Sequence, residues 1–344
     1  MSNKILDKLN AKECLIIAEI AQSHDGSLGT AHAYIDAAAK AGADVIKFQT
    51  HIADAESTAL EPWRIKFSKQ DPTRFDYWKR MEFTAEQWAG LKAHADEKNI
   101  IFLSSPFSIE AVELLDNLSM PAWKIASGEL SNYPMIEKIL GTGKPILVSS
   151  GMSEIEELDN LVNKIKTRNL PFAVLQCTSS YPTPPEKVGL NVMEEFRNRY
   201  SCPVGLSDHS GTIFPALAGA ALGMDIIELH ITFSKEMFGP DIIASVTMDE
   251  FKTMVDGIRF IEKMRKNPIV KNEAAKDLQG LRSIFTKSIV AKHALKEGAI
   301  LSENDLAYKK PGTGIPASEY LKIIGKKLNK SVKYNHFFSE QDFN

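Results

Sequence analysis

Apolar runs of five to seven residues recur along the chain, and each breaks into polar residues at its C-terminal end. They are LIIAE (15–19), DVIKFQ (44–49), IIFLSS (100–105), AWKIAS (122–127), PILVSS (145–150), FAVLQC (172–177), PVGLSD (203–208) and DIIELHI (225–231). Short, near-continuous runs rich in Ile and Val predict strands covered on both faces. Between them, apolar residues return every three or four positions, which predicts helices over 29–42, 85–99, 153–166 and 214–223. Gly42 and Gly223 stand where helix C-caps are expected. Ser153 followed by Glu156 reads as a capping box. MDEFKTMVDGIRFIEKMRK (248–266) supplies a last helix after the eighth strand.

Eight strands alternating with eight helices predict an α/β fold, a (β/α)8 TIM barrel over residues 1–266. The competing arrangement is a doubly wound open sheet, but no G-x-G-x-x-G follows the first strand. The stretch 50–83 after the second strand is long, charged and aromatic, and reads as a lid or a subunit contact. Residues 267–283 are charged and weakly periodic and read as a linker. From 284 to 344 short strands and Gly/Pro punctuation predict a separate small domain.

In such a barrel the active site lies at the C-terminal ends of the strands. Every predicted strand places polar groups there: Glu19; Lys47 and Gln49; Ser104 and Ser105; Lys124 and Ser127; Ser149 and Ser150; Cys177 to Tyr181; Ser207 to His209; Glu228 and His230. Singly, a lysine or histidine at a strand end is more often a paired or core residue, and a serine pair is usually turn chemistry. The pattern repeats on all the strands, which the single-residue explanations do not account for. Alternation puts Lys47 with Gln49, Ser207 with His209, and Glu228 with His230 on the inward face. Asp208 falls on the other parity and reads as a residue that orients its neighbours. Such an inward face is unfavourable to bury without a ligand. Two lysines with hydroxyls suit a phosphorylated or carboxylated anion. Two imidazoles suit a divalent metal with open positions.

Composition narrows the alternatives. The net charge of −3 gives no general attraction to nucleic acid or to an anionic membrane. The aromatic loop at 50–83 therefore does not read as a nucleic-acid surface. Three cysteines without C-x-x-C spacing fit a reducing cytoplasm, and no apolar run is long enough for a signal peptide or a membrane span. Cys177 reads as packing.

The segments IIAEIAQSHDGSL, AGADVIKFQ, FLSSPF, WKIASGEL, LVSSGM, QCTSSYPTP, PVGLSDHS, IIELHIT, GPDIIAS and KKPGTGI run in the order found in sialic acid synthases and their legionaminate- and pseudaminate-forming relatives. The chain resembles that family from about residue 15 to 316, and its tail resembles the antifreeze-like (β-clip) domain those synthases carry. The resemblance implies condensation of phosphoenolpyruvate with an open-chain N-acylated aldose of the N-acylmannosamine type. The product is a nine-carbon 2-keto acid, and phosphate leaves by C–O cleavage. It implies a divalent metal, manganese first, with magnesium or cobalt as alternatives. It also implies a homodimer in which one chain's antifreeze-like domain covers the other's barrel mouth.

Carried over by residue, the resemblance implies that His209 and His230 hold the metal. Lys47, Ser105, Lys124, Ser127, Ser149 and Ser207 would meet phosphoenolpyruvate. Gln49, Ser179, Tyr181, Asp241 and, from the tail, Lys310 would meet the sugar, as would Glu19. Glu19 is the first candidate for acid/base work and Glu228 the second. Ser23-His24, Ser179 and Lys310 depart from the family's Asn-His, asparagine and arginine, all on the sugar side. His24 reads as a structural or sugar-contact residue. Two alternatives remain: a Schiff-base aldolase using Lys124 or Lys47, and a carbohydrate-binding protein without catalysis.

Overall fold

The computed structural model describes residues 3–344, which divide into two compact units with the boundary between Lys266 and Asn267. In the first unit the eight predicted strands are present: β1 (Leu15–Ala21), β2 (Val45–Thr50), β3 (Ile101–Pro106), β4 (Trp123–Ile125), β5 (Ile146–Ser149), β6 (Phe172–Cys177), β7 (Val204–Asp208) and β8 (Ile226–Thr232). They pair in parallel in the order β3-β2-β1-β8-β7-β6-β5-β4, with β3 and β4 side by side where the barrel closes. A short β9 (Val246–Thr247) extends β8. No helix of the described residues is long and apolar enough to cross a membrane.

Strand alternation sorts the core into two layers. Ile16, Ala18, Ile46, Phe48, Val148, Leu206, Ile227 and Leu229 face outward, packed with helical residues such as Tyr34, Trp88 and Ile136. Leu15, Ile17, Val45, Leu103, Leu147, Leu175 and Ile226 form the inner cluster. Truncating one of these inner residues to alanine would cost about 2–5 kcal/mol. Ile5, fully buried, joins that cluster from the helix Lys4–Asn10, which seals the N-terminal end. That helix is too short for its periodicity to be legible in the sequence.

The same parity positions the chemistry. Two residues beyond Ile17 is Glu19; beyond Val45 is Lys47; beyond Leu147 is Ser149; beyond Ile226 is Glu228. The barrel interior is thus apolar at one end and polar at the other. Gly205 keeps β7 close to β8, because a Cβ there would meet the backbone oxygen of Ile226.

Two expectations change. The helix Ile155–Thr167 is capped by Glu154 with Glu157, one residue later than Ser153 with Glu156, because the chain turns at Ser153 before the helix begins. The stretch 267–283 is largely helical, forming Lys271–Asp277 and entering Gln279–Phe285, and it belongs to the second unit. Neither of these short helices has a buried residue, so no apolar stripe marked them in the sequence. The stretch 50–83 folds into the helices Ala53–Glu56 and Arg74–Met81, around a satellite core of Ala53, Tyr77, Trp78 and Met81.

The second unit pairs β10 (Ser288–Ala291) with β11 (Leu306–Lys309) in antiparallel register. Ile289, Leu301, Ile323 and Phe338 form its separate core. Lys310 follows β11 directly, and its Nζ lies 5.1 Å from the centre of the Phe285 ring within that unit.

Candidate active site

Lys47 and Lys124 are each 2% exposed and Glu19 is 1% exposed, so the barrel holds its charges inside. Glu19 and Lys47 are opposed in the β1–β2 register and form an ion pair. Glu228 Oε1 lies 3.8 Å from Lys47 Nζ and 3.5 Å from Lys124 Nζ. It also accepts a 3.1 Å hydrogen bond from Ser207, its register partner on β7. Lys47 donates to Ser105 at 3.3 Å, and Lys124 to Ser149 at 2.8 Å. Two ammonium groups, two carboxylates and three hydroxyls therefore form one buried cluster.

Its electrostatics follow from burial and pairing. Burial is the largest influence on Glu19 and, despite Lys47, pushes its carboxyl up to about 7. For Glu228 burial works the other way from its neighbours, and the ammonium groups of Lys124 and Lys47 prevail, holding it below the usual range. Burial opposes charge on Lys47, but Glu19 and Glu228 together hold it above the ordinary lysine range. Lys124 is lowered, with burial dominant and Glu228 offsetting it only in part. Glu19 Oε1 and Glu228 Oε2 are buried without hydrogen-bond partners, so the cluster has unused acceptors.

His209 and His230 stand beside this cluster with ring centroids 5.2 Å apart. His209 Nδ1 lies 3.0 Å from the carbonyl of Thr178, so it carries the proton and leaves Nε2 as the electron-pair donor. Burial first, and then His230, lowers His209 to about 4; burial first, and then Lys47, lowers His230 to about 3. Both rings are thus neutral near pH 7. His230 Nδ1 is buried and unpartnered. Neutral imidazoles with a free ring nitrogen are the donor set a divalent metal takes. Among the described residues no group of three or more His, Cys, Asp and Glu side chains gathers as a metal site, so the imidazole pair would leave positions open. His24 instead packs against Phe83, with ring centroids 4.8 Å apart, and its Nδ1 accepts from Gly26.

A cavity of about 420 Å³ opens from this end of the barrel. Gln49, Ser179, Tyr181 and Asp241 line it, as does Ser127. Ser127 Oγ lies 3.3 Å from Ser179 Oγ. β4 ends at Ile125, and Ser127 begins a one-turn 3-10 helix that carries it outward. Asp208 does not touch either imidazole through a hydrogen bond; it accepts from Ser210 N and Ser210 Oγ at 3.1 and 2.7 Å and holds the turn after β7. Lys310 lies in the other unit. Burial raises the Cys177 thiol to about 11, in keeping with a packing role.

Ten residues of the stretch after β2 also line the cavity, among them Arg64, His51 and Trp63, none of which the sequence pattern singles out. Arg64 bonds Asp241 at 2.7 Å and lies 4.2 Å above the Tyr181 ring. His51 is stacked between Trp78 and Phe107, with centroids 4.0 and 4.3 Å away. Its Nδ1 lies 2.5 Å from Glu56 Oε1 and its Nε2 3.2 Å from Gln49 Oε1. Trp63 completes the wall. The one available signal was His51 following Gln49 at the end of a strand, two residues on and of the same parity.

A parallel barrel with a buried ionic cluster and paired neutral imidazoles at its C-terminal mouth defines an enzyme-like site. Comparison with known proteins gives the family. Residues 34–269 match the NeuB family and residues 286–343 match the SAF domain. The chain is 38% identical to N,N'-diacetyllegionaminic acid synthase of Campylobacter jejuni, over 96% of this chain and 100% of that one. It is 34% identical to human N-acetylneuraminate-9-phosphate synthase, over 95% and 92%. The crystal structure of N-acetylneuraminic acid synthetase from Leptospira borgpetersenii, in complex with citrate, superposes with a TM-score of 0.68 at 28% identity, covering 78% of this chain and 93% of that one. The chain belongs to the NeuB family and carries a C-terminal SAF domain.

Proposed function

We propose that the protein is a nonulosonic acid synthase, joining phosphoenolpyruvate and water to an open-chain N-acylated aldose and releasing phosphate. The observation that carries this reading is the buried Lys47–Glu19–Glu228–Lys124 cluster beside the His209/His230 pair. The relatives that are named synthases of legionaminic and N-acetylneuraminic acids support it.

C3 of phosphoenolpyruvate forms the new carbon–carbon bond to the aldehyde carbon. Water adds at C2, and the C2–O bond to phosphate breaks. Lys47 and Lys124, with Ser105, Ser149 and Ser207, hold the phosphate and carboxylate and offset their charge. Gln49, Ser179, Tyr181 and Asp241 hold the sugar. Glu19 moves protons, taking one from the attacking water; its pKa near 7 suits that task. His209 and His230 would hold a divalent ion, manganese first, which supplies Lewis-acid polarisation of the aldehyde. We further propose that the protein acts in the cytoplasm as a homodimer, with Lys310 of the second copy reaching the acyl group.

A second reading, a Schiff-base aldolase, draws on the lowered pKa of Lys124. Borohydride trapping with a 2-keto acid separates the two: a covalent lysine adduct favours the aldolase. The principal test is phosphate release from phosphoenolpyruvate across a panel of N-acetylated aldoses with manganese present. No release with any of them overturns the synthase.

A further inference from the structure

His51 is buried where three elements meet: the end of β2, the helix Arg74–Met81 and the end of β3. Its ring lies nearly flat between Trp78, from that helix, and Phe107, directly after β3, with interplanar angles of 18° and 15°. Trp78 is itself held, because its Nε1 donates to Glu61 at 2.9 Å. An imidazole stacked on both faces is kept in one plane, which fixes where its two nitrogens point. Nδ1 points at the Glu56 carboxylate, 2.5 Å away, and Nε2 at Gln49 Oε1, 3.2 Å away.

What Nε2 meets decides how Gln49 presents itself. An amide has an oxygen that accepts and a nitrogen that donates, and only one of them can face the imidazole. A second neighbour makes the choice: Gln22 Nε2 donates to the same Gln49 oxygen at 3.4 Å. Two N–H groups converging on one atom make it the acceptor, which requires a proton on His51 Nε2. The amide nitrogen of Gln49 is then turned the other way. Among the described residues nothing accepts from it, and Gln49 lines the cavity. An amide without this restraint would offer the cavity an oxygen as readily as a nitrogen.

We propose that His51 is a positioning residue: backed by Glu56, it pins the oxygen of the Gln49 amide, so that Gln49 meets the aldose as a hydrogen-bond donor. The role toward the aldose rests on reading the cavity as the acceptor site; the pinning does not. Nitrogen NMR spectra of the histidine-labelled full chain test the pinning without substrate. The Nε2 resonance that His51→Phe removes should be that of a protonated nitrogen at neutral pH, and an unprotonated one overturns the proposal. Kinetics test the consequence, with the most active aldose of the panel. His51→Phe keeps the stacked ring and removes both N–H groups. It should raise the aldose KM about tenfold, with kcat and the phosphoenolpyruvate KM within about twofold of the parent. His51→Gln, whose amide nitrogen takes the place of Nε2, should recover most of the loss. His51→Asn, whose amide nitrogen takes the place of Nδ1, should not. Gln49→Ala should raise the aldose KM about tenfold in the parent and add nothing to His51→Phe. Equal effects of Gln49→Ala in both backgrounds overturn the proposal, as does equal recovery with asparagine. If Nε2 is protonated but no aldose releases phosphate from phosphoenolpyruvate, the synthase reading falls and the pinning of Gln49 stands.

Discussion

Glu19 lies in register with Lys47 on one side and with His230 on the other. β1 is the strand that joins the ammonium side of the mouth to the imidazole side, and Glu19 is its last inward residue at the polar end. A carboxyl in that position can exchange a proton with groups bound on either side without moving.

Glu19→Gln keeps the shape and removes the charge. Turnover should fall by about 10²–10⁴-fold, the usual contribution of a positioned acid or base. Because the carboxylate is the basic form, activity of the parent should decline as pH falls through about 7, and that limb should be absent from the variant's residual activity. Full turnover in the variant would remove Glu19 from the reaction.

The imidazoles give a stability prediction. Their folded pKa values, about 4 and about 3, lie below the unfolded value of 6.5. The unfolded chain therefore takes up protons first on acidification. Stability should be fully present above pH 6.5 and decline as pH falls toward 4. His230→Gln should flatten that decline in thermal melts. Manganese should raise the melting temperature of the parent and not of this variant, and chelation should stop turnover in the parent.

Lys124→Met removes one of two anion-facing charges while keeping the bulk. KM for phosphoenolpyruvate should rise by about 10–100-fold, since the lost charge-assisted bonds are worth about 1.5–3 kcal/mol. The aldose KM should move little. Equal effects on both substrates would argue against separate anion and sugar sides.

Arg64→Ala frees Asp241 and uncovers Tyr181. The aldose KM should rise by about tenfold with phosphoenolpyruvate KM unchanged, in line with the loss of a charge-assisted contact of about 1.4 kcal/mol. Steady-state kinetics with each substrate varied in turn distinguishes the outcomes.

Gly151 follows β5 at φ +47°, and a Cβ there would collide with Ser127. Gly151→Ala should therefore displace Ser127 and its partner Ser179. We expect a loss of about 1–3 kcal/mol in denaturant unfolding, together with weaker aldose binding.

The strands and their inward chemistry were legible because two regular patterns coincide on them. Apolar runs gave the elements, and parity then separated Lys47 from Phe48 and His230 from Leu229. Nothing comparable marks the stretch after β2. Its aromatic and charged residues follow no period, and His51, Glu56 and Arg64 reach the cavity through a local fold set by Tyr77 and Trp78 packing. Alternation holds only while the strand lasts, so it does not orient Ser127, which follows the end of β4 at Ile125. Asp208 was assigned to the correct face, but parity does not report that a nearby serine would engage both its oxygens.

The buried cluster has two positive and two negative members, so the mouth by itself is close to electrically balanced. A multiply charged anion upsets that balance on arrival. Glu19, already near half-protonated at neutral pH, is the group able to restore it by drawing a proton from solvent, a proton it must give up again before it can take one from the attacking water. Capture of the anion is then a proton-consuming event. Its apparent heat should change with the ionisation enthalpy of the buffer, and its affinity should weaken as the solution becomes more alkaline.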